Sequence, residues 1–92
     1  MTEEPHYQPD EAREQFPCKG YVFTRDGMHD GGDVLETPQQ LQSWMHFIGR
    51  MHMARGLELM VCDNMDYANF HAKDGKLIFP DDDDLRREFN LS

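Results

Sequence analysis

Ninety-two residues, 38% of them hydrophobic and 29% charged, amount to one small domain, so any function comes from a single compact unit or from that unit joined to a partner. Eighteen acidic against nine basic residues leave a formal charge of −9, which excludes a broad basic surface and with it direct binding to nucleic-acid phosphates or an anionic membrane. The longest apolar run, Leu59 to Cys62, is too short to span a bilayer, and the acidic N-terminus lacks the basic-then-apolar pattern of a leader, so a cytoplasmic protein is expected.

Residues 1–16 carry five acids together with Pro5 and Pro9. They read as a flexible acidic N-terminal tail, with one short helical turn at 10–15 that Pro17 ends. Residues 17–92 then form a single domain. Tyr21, Val22, Phe23 and Thr24 are β-branched or aromatic and predict a first strand over 20–25, closed by Asp26-Gly27. Gly27, Gly31 and Gly32, among aspartates and His29, make an exposed loop, and a short return strand is expected over 33–35.

Thr37-Pro38-Gln39-Gln40 is a helix start: the Thr37 hydroxyl can cap free amides, Pro38 presets φ, and Gln40 completes a capping box. At 100° per residue Leu41, Trp44, Met45, Ile48, Met51 and His52 share one arc, flanked by Phe47 and Ala54, while Gln39, Gln42, Ser43, His46, Gly49, Arg50 and Met53 face away. Gly56 terminates this helix, which is expected over 38–55.

Residues 57–62 alternate, with Leu57, Leu59 and Val61 on one face, and predict a strand that follows the helix almost without a loop. Asp74-Gly75 between 67–73 and 76–79 is a two-residue hairpin signal whose register pairs Lys73 with Lys76 and Phe70 with Phe79. Pro80 closes the last strand, and Leu85, Glu88, Phe89 and Leu91 predict a short closing helix with aspartates at its N-terminus. The fold class is therefore α+β: a small antiparallel sheet of three to five strands, the long helix packed across one face, and a short C-terminal helix.

Little in this chain points to catalysis, a cofactor or a metal. Neither cysteine lies in a C-x-x-C pair: Cys62 ends an apolar run and reads as buried, and Cys18, between Pro17 and Lys19, reads as an exposed thiol. His46 and His52 lie about 120° apart around the helix and cannot share a metal, while Asp26, Met28 and Asp30 begin like a calcium loop that Met28 and Thr37 then spoil. Asp26, His29, Asp30 and Asp33 are the nearest approach to a metal cluster. A thiol paired with His71 or His52 is the least favoured chemistry. His52, on the apolar helix face, reads as a satisfied boundary residue.

The acids are the remaining feature. Asp81, Asp82, Asp83 and Asp84 run together, and Asp26, Asp30, Asp33, Asp63, Asp66 and Asp74 fall in predicted loops and turns. Four consecutive like charges repel unless something positive meets them, which points to a basic surface on a partner protein. Asp81, Asp82, Asp83, Asp84, Asp26, Asp30, Asp33, Asp63 and Asp66 are accordingly the candidate partner-binding residues. The expected function is a non-enzymatic acidic binding protein, monomer or homodimer, that occupies a nucleic-acid-binding protein as an inhibitor or nucleic-acid mimic. In size, acidity and helix-on-sheet outline the chain is similar to small phage or mobile-element proteins that disable host nucleic-acid machinery, anti-CRISPR and DNA-mimic proteins among them; the likeness is one of composition and assigns no residue a role. The alternative is an ordinary interaction module that uses a sheet edge or the helix face of Met53, Arg50 and His46. Residues 37–56 hold Arg50, Arg55, His46 and His52 and no carboxylate, as a core helix with few charged positions would, or a weakly basic helix opposite acidic loops.

Overall fold

The computed structural model describes residues 16–29 and 31–92. Its strands are β1 (Cys18–Val22), β2 (Asp33–Leu35), β3 (Leu59–Cys62), β4 (Ala68–Lys73) and β5 (Lys76–Phe79), hydrogen-bonded in the order β2-β1-β3-β4-β5. Every neighbouring pair is antiparallel. The long helix α1 passes through Pro38–Trp44, Met45–Gly49 and Arg50–Ala54, and the short helix α2 is Asp83–Glu88. This is the expected α+β architecture. The acidic tail and the helical turn expected in it lie outside the described residues, apart from Phe16, which packs against the core.

The start of α1 follows the capping chemistry of its sequence. Thr37 Oγ1 accepts from the Gln40 amide at 3.1 Å, Gln40 Oε1 accepts from the Glu36 amide at 2.7 Å, and Pro38 fills the first helical position. At the other end Gly56 adopts φ +74°, its amide donates to Met53 O and that of Leu57 to His52 O, the paired bonds of a left-handed glycine stop.

Between these ends α1 departs from the expected phase. Met45–Gly49 is a π-helical turn in which the Arg50 amide donates to Met45 O, five residues back. The wider turn delays each later side chain by roughly one residue, about 100° of rotation. Met53 is therefore buried at 4% exposure and Met51 stands out at 48%, the reverse of a continuous 3.6-residue period; Phe47 is 68% exposed. Gly49 turns inward as well, where an added Cβ would lie 3.3 Å from Leu59 Cδ1. His52 sits at the boundary as expected, its Nδ1 donating to Ile48 O at 3.0 Å.

Trp44 anchors α1 to the sheet. Its ring lies where a side chain on Gly20 would project, 2.5 Å from the position of that absent Cβ, so only glycine fits there. The indole Nε1 donates to Asp33 Oδ2 at 2.7 Å, tying the helix to β2. Leu59, Val61, Phe70, Ala72 and Leu77 complete the apolar layer from the sheet, and Phe89, just past α2, meets Phe70 edge to face with centroids 5.7 Å apart. Both helices thus cover the same face of the sheet.

Strand details differ from expectation in three places. β1 starts at Cys18, ahead of the predicted 20, and beyond Val22 it continues only as a bridge between Phe23 and His29, because the Thr24–Met28 turn pulls the chain away. Leu57 stays outside β3, its amide engaged with the helix end. In the final hairpin Lys73 faces Lys76 as predicted, but a bulge makes Phe79 the partner of His71 instead of Phe70. Ile78 and Phe79 are consequently both exposed.

Candidate functional site

The aspartate run is held within the chain. Asp82 caps α2, its Oδ1 accepting from the amides of Asp84 at 2.9 Å and Leu85 at 3.2 Å. Arg86 donates to Asp81 at 2.7 Å and to Asp83 at 2.6 Å, and Arg87 donates to Asp84. These contacts hold both guanidinium pKa values above their ordinary range, through the side-chain hydrogen bond to Asp81 for Arg86 and to Asp84 for Arg87. The repulsion that pointed to an external basic surface is therefore met by Arg86 and Arg87, one helical turn along.

The remaining predicted acids do not converge. Asp33 accepts from Trp44, and Asp63 Oδ1 accepts from the amides of Met65 and Tyr67, closing the turn in which Asp66 takes φ +68°. Asp26 lies at the opposite end of the sheet, beside a cleft of about 300 Å³ that it shares with Glu58, Lys73 and Asp74. Asp30 lies outside the described residues. The eight described candidates are thus local hydrogen-bond acceptors or separate turn residues, because short aspartate side chains satisfy amides in the loops where they occur.

The chemistry-bearing groups are likewise apart. Cys18 is a core residue at 1% exposure, contrary to the exposed thiol expected from its polar neighbours, because strand alternation points it under the helix layer. Its thiol pKa is pushed up from 9.0 to about 11, mainly by burial. Cys62 projects to the other side of the sheet, and burial raises its thiol too. Burial thus disfavours the thiolate of both cysteines, and they lie on opposite faces. His29 packs between Tyr21 and Phe23, with ring centroids 5.0 and 5.1 Å away, and its Nδ1 accepts from the Gly31 amide. Among the described residues no group of three His, Cys, Asp or Glu could hold a metal ion.

Two surfaces remain. The first is a groove of about 260 Å³ between α1 and α2, lined by Met45, His46, Phe47, Arg50, Glu88 and Phe89. Arg50 Nη1 donates to Glu88 O at 3.1 Å and its guanidinium lies 5.3 Å from the Phe89 ring centre. The helix patch expected from Met53, Arg50 and His46 loses Met53 to the core and gains Phe47. At this size the groove falls below the usual range of small-molecule sites and admits one or two side chains.

The second surface is the face of the sheet opposite the helices. Strand register places Tyr21, Met60, His71 and Phe79 in one cross-strand row there, since each is paired with the next. Val34, Lys19 and Cys62 form a row on one side of it. On the other side Phe23 and Glu58 adjoin, Phe23 N–H donating to Glu58 O, and Lys73 faces Lys76. Glu58 Oε2 lies 2.7 Å from His71 Nε2. No helix among the described residues covers this face. Neither the acid pattern nor the helix period pointed to it; the signal was the outward half of β1 and β3, where Tyr21 and Met60 are more apolar than a solvent face requires, while Phe79, two residues after buried Leu77, joins them only through the bulge.

Comparison of the chain with protein-family models, with curated proteins and with solved structures gave no match. Among the described residues no helix is long and apolar enough to cross a membrane.

Proposed function

We propose that this chain is a non-enzymatic protein-interaction module that engages its partner through the open face of the sheet. The observation that carries the reading is that α1 and α2 cover the same face, so that among the described residues no helix covers the row Tyr21, Met60, His71 and Phe79. Phe79 is 51% exposed and its neighbour Ile78 is 54% exposed. Tyr21, Met60 and His71 are partly buried beside them, and a contiguous apolar and aromatic row with charged residues at its rim is the usual composition of a protein contact.

A second reading keeps the acidic surface as the contact, docking on a basic protein such as a nucleic-acid-binding one and inhibiting it as a mimic. It is favoured by Asp26, Asp66 and Asp74, which stand exposed in turns at the two ends of the sheet, and by the net charge of −9.

Photo-crosslinking separates the two. A benzophenone amino acid is placed at Phe79, at Asp66 or at Phe47 in the full chain, and the cells that make it are irradiated. An adduct of defined mass at 79, with none at 47, is the expected result; an adduct of twice the chain mass would identify the partner as a second copy. An adduct at 66 alone would establish the acidic surface instead, and no adduct at 79 would overturn the open-face reading.

A further inference from the structure

We draw no further inference here: the strongest candidate, the groove of about 260 Å³ between α1 and α2 in which Arg50 Nε is buried without a hydrogen-bond partner, carries nothing because Glu88 shares it with Arg50 and His46, so its charge names no ligand, and nothing in the structure shows what covers it.

Discussion

The two faces of the sheet are made by the same strands and have opposite fates. On the covered face Leu59, Val61, Phe70, Ala72 and Leu77 meet Trp44, Met45, Leu85 and Phe89 in one buried cluster. On the open face Tyr21, Met60 and His71 alternate with them, Phe79 joins the row through the β5 bulge, and no helix among the described residues covers this face, although Tyr21 packs on His29 and Gly32. Stability therefore rests on the covered face and, under the proposed function, recognition on the other, so substitutions on the two sides should separate cleanly.

The largest separation is expected at Trp44. Truncation to alanine removes the ring that packs on Gly20 and leaves Asp33 without its indole donor, a loss of about 3–5 kcal/mol. A domain of this size holds on the order of 5–15 kcal/mol in all, so Trp44→Ala should melt far below the wild type or fail to fold. Phe79→Ala, on the open face, should cost under about 1 kcal/mol. Equal melting temperatures for the two variants by circular dichroism would break the comparison.

The π turn in α1 sharpens it further. Met51 and Met53 are chemically identical and two residues apart, yet only Met53 reaches the core. Met53→Ala is expected to cost about 2–5 kcal/mol and Met51→Ala about 0.5 kcal/mol or less in urea titrations. The opposite ranking would restore the uninterrupted helical phase.

These cases also mark what the sequence could convey. Caps and turns were legible because they are local: Thr37 with Gln40, Gly56, the Asp74-Gly75 hairpin and the Lys73–Lys76 register each depend on a few neighbouring residues. The phase of α1 beyond Met45 was not, since no local residue pattern announces a π turn; Gly49 became meaningful only once β3 lay against it. The Phe79 pairing failed for the same reason, a bulge being a one-residue slip set by tertiary packing. The internal pairing of the acidic run was not legible because Arg86 and Arg87 sit three to five residues after their partners, a spacing that becomes contact only when residues 83–88 are helical. That Lys19, Lys73 and Lys76 lie on one face of the sheet was hidden because strand order and register bring them there, and hydrophobic periodicity does not determine strand order.

The smallest expected effect compares the two cysteines, one on each face. Cys18 is under the helices and its thiol titrates near 11 in the folded chain, against 9.0 when unperturbed. Above pH 9 the unfolded chain therefore releases this proton while the folded chain keeps it, so the unfolded state binds fewer protons and stability falls as pH rises from 9 to 11. Below pH 9 the thiol is protonated in both states and contributes no pH dependence. At about 1.4 kcal/mol per pKa unit the loss for Cys18 reaches at most roughly 2–3 kcal/mol by pH 11. Cys62 shifts in the same direction through burial, followed by the nearby charges of Asp66 and Asp63, and adds to the slope. Other groups titrate in this range, so the decisive quantity is a difference between variants. The alkaline decline in urea midpoint should be shallower in Cys18→Ala than in wild type, with the two curves parallel between pH 7 and 8.5. Equal slopes up to pH 11, together with rapid alkylation of Cys18 in the native protein, would show that the covered face admits solvent where the fold says it is closed.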